Sequence, residues 1–172
     1  METCEDCGFA WETVPTEQVG PRTLAGTRAT AELLRREPSH GLLRPSPDRW
    51  SMVEYGAHVR DVLLILRDRC IIGLVEDDPG FKPMYRDERV DLGLYRTEAV
   101  APVAAELEAT ATMFVRLFDA VDPAMLDRPV QYGFPNPLAR TVGWMGQQAV
   151  HEVEHHLGDI EENQRTLARQ EQ

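Results

Sequence analysis

The spacing of apolar positions predicts four long helices joined by proline- and glycine-rich connections. In the first helix Ala25, Ala29, Leu33 and Leu34 recur at helical intervals. It starts between Thr16 and Pro21, where a proline suits the first turn, and runs to about Glu37. Pro38, Gly41, Pro45 and Pro47 then make a rigid connection. The second helix has the sharpest start. Ser51 is an N-cap, Glu54 completes a capping box, and Trp50 and Tyr55 can form the apolar staple beside it. Its apolar run, Val59, Val62, Leu63, Ile65, Leu66, Ile71 and Ile72, is broad, as burial within a bundle requires. The third helix, from near Pro102 to about Ala120, carries Val103, Leu107, Met113, Phe114, Leu117 and Phe118. The fourth begins at the N-cap Thr141 and runs to about Leu167. Residues 77–96 and 122–140 are long irregular connections, the second with a short strand around Val130 to Tyr132. The expected organisation is an extended N-terminal arm, residues 1–15, followed by an all-α four-helix bundle, residues 16–172.

The fourth helix carries the candidate chemistry. Val142, Met145, Gly146, Ala149, Val153, Leu157 and Ile160 form its apolar stripe. His156 counts into that stripe, which predicts a structural histidine pointing into the bundle. Trp144, Gln148, His151, His155 and Asp159 fall on a polar face roughly opposite. His151 and His155 lie one turn apart and about 40° around the axis, a spacing at which two imidazoles can hold one metal ion. The competing account of the pair is a solvated polar face.

The same stretch reads H-E-x-x-H from His151 to His155, the zinc peptidase pattern in which Glu152 would be a general base, and Gly158 and Glu161 extend it. The context argues against a peptidase. Only a short tail without methionine follows Glu161, and the upstream segments are helices with no convincing substrate-binding edge strand. A metallopeptidase is therefore the least favoured alternative.

Composition narrows the partners. The 172 residues suit one domain with one sizeable core, and a net charge of −11 argues against nucleic acid or anionic membrane as a partner. No apolar run is long enough to span a bilayer. The acidic start, Met1-Glu2-Thr3-Cys4-Glu5-Asp6, does not look like a signal peptide, so the expected location is cytoplasmic. A small-molecule substrate is the expected partner, and the sequence leaves monomer and homodimer open.

Three cysteines argue against a disulfide framework. Cys70 sits in an apolar helical run and reads as core. Cys4 and Cys7 form a C-x-x-C that could be half of a zinc knuckle, which needs two further ligands, or a redox pair. Alternatively the arm simply docks through Phe9 and Trp11. In the first long connection Arg86, Arg89, Tyr95 and Arg96 could hold an anionic group, and Arg86, Arg89 and Tyr95 are the candidate cofactor-binding residues.

At this point the chain resembles the DinB-like superfamily of metal-binding four-helix bundles, which includes mycothiol-dependent maleylpyruvate isomerases and bacillithiol and mycothiol S-transferases. The resemblance is carried by Trp50-Ser51-Met52-Val53-Glu54-Tyr55-Gly56-Ala57-His58-Val59-Arg60-Asp61, by Asp127-Arg128-Pro129, by Arg140-Thr141-Val142, and by His151-x-x-x-His155-His156-x-x-Asp159-Ile160. It covers about residues 16–165 and leaves the Cys4–Cys7 arm outside. It implies a divalent metal, zinc or nickel, held by one histidine of the second helix and two of the last, here His58, His151 and His155. Some relatives have Glu at the position taken here by His151. It further implies a metal-dependent enzyme using a low-molecular-weight thiol as cosubstrate, either an S-transferase or a thiol-dependent isomerase acting on a small electrophile. The alternative is a non-enzymatic metal or small-ligand binding protein.

Overall fold

The computed structural model describes residues 2–171. Its helices are α1 (Thr16–Arg36), α2 (Pro38–Gly41), α3 (Met52–Val75), α4 (Arg86–Asp91), α5 (Val100–Asp119) and α6 (Val142–Gln170). The two strands, β1 (Pro129–Tyr132) and β2 (Leu138–Thr141), pair antiparallel, with Val130 opposite Arg140. The four long helices therefore start and stop close to where the pattern places them. The reasons are local. Ser51 accepts from the Glu54 backbone N–H while the Glu54 side chain accepts from the Ser51 N–H at 2.8 Å, and Trp50 stacks obliquely on Tyr55 with ring centroids 5.4 Å apart. At the head of α6 the Thr141 hydroxyl accepts from the Trp144 N–H at 3.1 Å.

The helices do not pack in chain order. α1 lies against α5 and α6, and α3 lies against the same two, so α1 faces α3 only across the diagonal of the bundle. This crossing makes α3 and α6 neighbours along their length. The core falls into two apolar clusters. One gathers Leu63, Leu66, Phe114, Phe118, Met145 and Val153, and the other gathers Leu34, Met52, Val53, Val103 and Ile160. On α3 the changeover falls at His58, and on α6 it falls between Val153 and Ile160. The bundle thus has a seam between two dry regions, and polar side chains occupy it.

Four expectations change. Met113, counted into the stripe of the third helix, is 44% exposed. The connection 77–96 contains the short helix α4, and the strand near Val130 acquires a partner and becomes a hairpin. Residues before α1 are not simply extended: Thr3 bridges to Ala10, and Trp11–Thr13 form one helical turn that buries Trp11. Among the described residues, no helix is long and apolar enough to cross a membrane.

Candidate metal centre

His58 enters the seam from α3, and Glu152 and His156 enter it from α6. Both are read off the same geometry: Glu152 and His156 are four residues apart and share one face of the helix. Glu152 Oε2 lies 3.5 Å from His58 Nε2 and 3.5 Å from His156 Nε2. The two imidazoles meet edge to face, with centroids 4.8 Å apart and planes at 88°. An ion about 2.0–2.2 Å from each donor needs donor–donor edges of roughly 3.3–3.5 Å. The two edges from Glu152 fit that requirement, and all three donors lie within 4.8 Å of one another. One buried member also lacks a hydrogen-bond partner: neither ring nitrogen of His58 has a hydrogen bond among the described residues. A buried imidazole without a partner is costly in a protein core, and a cation bound at the lone pair removes that cost.

The surrounding groups orient this triangle. Gln148 Nε2 donates to Glu152 Oε1 at 2.6 Å, and Trp11 Nε1 donates to Gln148 Oε1 at 2.7 Å. A residue of the arm therefore fixes the free oxygen of the carboxylate through one intermediary. His156 Nδ1 pairs with Asp159 Oδ2 at 2.9 Å, leaving Nε2 directed at Glu152. Asp159 is held in turn by Arg49, whose Nη2 donates to its backbone oxygen at 3.1 Å. Carboxylates behind ligating histidines are the usual means of fixing tautomer and ring orientation.

Charge follows the same logic. Burial alone would raise the Glu152 carboxyl, but His156 and His58 hold it well below the usual carboxylate range. Burial lowers His58, and the Glu152 contact only partly offsets it. Burial would lower His156 too, yet Asp159 and Glu152 raise it. The centre thus presents an ionised carboxylate between two imidazoles, one of them kept neutral by desolvation.

The expected set His58, His151 and His155 is not brought together. His151 and His155 lie on the next face of α6 and group with Cys4 and Cys7 of the arm. The physical reason is the 100° step between neighbours: Glu152 and His156 reach the seam, while His151 and His155 turn outward under the arm. His156, expected to be structural, is a member of the triangle. Glu152 contacts His58 and His156, and the His151–His155 pair groups with the arm cysteines, so the H-E-x-x-H arrangement of a peptidase does not form. Glu161, the third ligand that reading required, is exposed and lies 3.8 Å from Arg165. The missed signal was present in the chain: a metal between α3 and α6 needs ligands that count into the inward stripe, and His156 does.

The candidate cofactor-binding residues also divide. Arg89 Nη1 donates to Asp61 Oδ2 at 2.6 Å, Arg89 Nε donates to the Met84 oxygen, and Tyr95 donates to Asp61 Oδ2 at 3.0 Å. Tyr95 is buried. These two residues tie the long connection to α3 through Asp61. Arg86 alone reaches the open cleft, of about 670 Å³, which also exposes Trp50, Tyr55 and His156. Cys70 is core, as expected, and burial pushes its thiol up to about 12, so it offers no nucleophile.

Comparison with known proteins places these features in a family. Residues 17–160 match the DinB superfamily. The fold is similar to that of YfiT from Bacillus subtilis, described as a probable metal-dependent hydrolase with an unusual four-helix bundle topology; the TM-score is 0.75 at 17% identity, over 91% of each chain. It is also similar to the mycothiol-dependent maleylpyruvate isomerase, with a TM-score of 0.67 at 16% identity, covering 88% of this chain and 63% of that one. No curated protein matches the sequence.

Proposed function

The chain belongs to the DinB superfamily, and from that premise we propose that it is a metal-dependent enzyme in which His58, Glu152 and His156 hold one divalent ion, zinc in preference to nickel. The reaction is attack of a low-molecular-weight thiol on a small electrophile, by S-transfer or thiol-dependent isomerisation. The observation that carries the reading is Glu152 Oε2 standing 3.5 Å from both imidazole Nε2 atoms beside an open cleft. When bound, the ion supplies Lewis acidity and lowers the pKa of a thiol or water in an open coordination position.

The chain's own residues supply the rest. Gln148 keeps the Glu152 carboxylate turned toward the imidazoles, and Asp159 engages His156 through Nδ1, which leaves Nε2 for the ion. Arg86 presents a guanidinium to a carboxylate of thiol or electrophile. Burial and the nearby Asp159 charge raise the Tyr55 phenol, so it stays protonated at neutral pH and can donate to an electrophile's oxygen. The location of the protein is expected to be cytoplasmic, where such thiols are found.

One observation favours the second reading, a binding protein without turnover. Glu152 and Asp159, the carboxylates nearest the centre, are both engaged by imidazoles, so neither is a free general base. A thiol activated by the ion needs no such base, and this is why the enzyme reading is preferred. The test is consumption of mycothiol or bacillithiol with a haloarene electrophile by zinc-loaded protein. Turnover that disappears in Glu152→Ala supports the enzyme. Full metal occupancy without thiol consumption identifies the binding protein.

A further inference from the structure

The motif left over is the arm. Cys4 and Cys7 precede the residues that match the superfamily, and nothing in the bundle centre uses them. The chain around them is built as a closed turn. The Gly8 N–H donates to the Cys4 oxygen at 2.9 Å, the Cys4 N–H donates to the Phe9 oxygen at 2.8 Å, and Gly8 takes φ +74°. That left-handed angle is open to glycine at no steric cost. The turn holds two thiols on one side, and the side faces α6.

There the arm meets the outward pair of histidines. Cys4 Sγ lies 3.8 Å from His155 Nδ1, and one donor atom from each of Cys4, Cys7, His151 and His155 lies within 4.8 Å of the others. Phe9 and Trp11 pack on the His151 ring at 5.1 and 4.7 Å. Both nitrogens of that ring are buried with no hydrogen-bond partner among the described residues. His155 Nε2, the nitrogen turned away from Cys4, lies 3.6 Å from Asp159 Oδ2. Two thiols, an imidazole without a partner and a second imidazole backed by a carboxylate thus converge on one point.

We infer that Cys4, Cys7, His151 and His155 form a second metal site, a closed tetrahedral Cys2His2 site for a zinc-type ion that clasps the arm to α6. The spacings C-x2-C and H-x3-H are those of such sites. With zinc–sulfur near 2.3 Å and zinc–nitrogen near 2.1 Å, a tetrahedron has edges of roughly 3.3–3.8 Å, and the four donors need close by at most about 1.5 Å to reach it. Binding one divalent ion releases the two thiol protons, and two thiolates then balance the ion's charge. All four positions are protein donors, so the site is structural and does not require the thiol chemistry proposed for the bundle. The clasp also bears on that centre, because the arm it fixes carries Trp11, the donor behind Gln148 and Glu152.

Cobalt titration of the full chain under reducing conditions tests the site. The expected result is two ions per chain, one of them with an intense near-ultraviolet sulfur-to-cobalt charge-transfer band. Cys4→Ser with Cys7→Ser should lose that band and one ion while keeping the far-ultraviolet helix signal. His58→Ala should keep the band and lose the other ion, and His151→Ala, with both thiols intact, should weaken the sulfur-bound ion at least tenfold. Three results overturn the inference: a single ion without a sulfur band, a sulfur band abolished by His58→Ala, or undiminished band affinity in His151→Ala.

Discussion

His151 and Glu152 are adjacent in the chain and face different clusters, His151 the two arm cysteines and Glu152 the His58–His156 pair. The six residues His151 to His156 therefore hold two interleaved i,i+4 pairs, 151 with 155 and 152 with 156, offset by one helical step of about 100°. Which pair serves the bundle centre is a question of register that single substitutions answer.

Glu152→Ala and His156→Ala should each weaken the ion at the bundle centre by more than about a hundredfold, since each removes a direct donor. His155→Ala should leave that ion within about tenfold of wild type. Competition with a chromophoric chelator measures both. The reverse order of effects would restore His151 and His155 as partners of His58.

Removal of an orienting group has a smaller, graded effect. Gln148→Ala should weaken the bundle ion by about 10–100-fold, because Glu152 Oε1 loses its 2.6 Å donor. Trp11→Phe keeps the packing against His151 and removes only the indole N–H, so its effect should be weaker and in the same direction. A Trp11→Phe effect larger than that of Gln148→Ala would break the proposed order of the relay.

Asp159 touches both clusters. Its Oδ2 lies 2.9 Å from His156 Nδ1 and 3.6 Å from His155 Nε2. Asp159→Ala should lower affinity at both metal sites, by about tenfold at the bundle centre and less at the arm, where the contact is longer. Two-site isothermal titration distinguishes this from an effect on one site alone.

The sequence displayed the helices well and the ligand register poorly, for different reasons. Helix ends are local: the Ser51–Glu54 box and the Thr141 cap act within one turn, so they can be read from neighbouring residues. The register depends on how α6 is rolled about its axis, which is set by packing against α1 and α3 and by α5 side chains that reach it. Close approaches fix that roll. A Cβ at Gly146 would fall 2.2 Å from the Phe118 ring, and one at Gly26 would fall 2.3 Å from Val153 Cγ1. Counting the inward stripe did place His156 inside, but a lone buried histidine reads as packing until His58 is seen opposite it. The arm was harder still. C-x-x-C and H-x-x-x-H lie at opposite ends of the chain, and only the fold sets them side by side. In the long connection Arg89 and Tyr95 looked like ligand contacts because Asp61, their partner, lies on another helix.

Arg86 and Arg89 of that connection should separate cleanly. Arg86→Ala should raise KM for an anionic substrate several-fold with little change in melting temperature, because Arg86 lines the cleft and is largely exposed. Arg89→Ala should lower stability by about 1–3 kcal/mol, since it leaves the nearly buried Asp61 with fewer partners. Thermal melts and steady-state kinetics on both variants decide the assignment, and equal KM effects would return Arg89 to the ligand site.

Acid sensitivity should have a specific source away from either metal cluster. Glu54 is buried, accepts from the Ser51 N–H and pairs with Arg44, whose Nε donates at 2.7 Å. Burial alone would raise its carboxyl, but Arg44 and Ser51 outweigh burial and hold the folded value below the ordinary one. The unfolded chain therefore takes up this proton at higher pH than the native chain. Its stabilising contribution is complete above the ordinary glutamate value of about 4.3 and is lost as pH falls through the lower folded value. Glu54→Gln should cost about 2–4 kcal/mol at neutral pH, because Arg44 loses its charge partner and the capping box is weakened. The same variant should show a shallower fall of melting temperature between about pH 5 and pH 3 than wild type. Parallel curves for the two proteins across that window would show that Glu54 is not the group responsible.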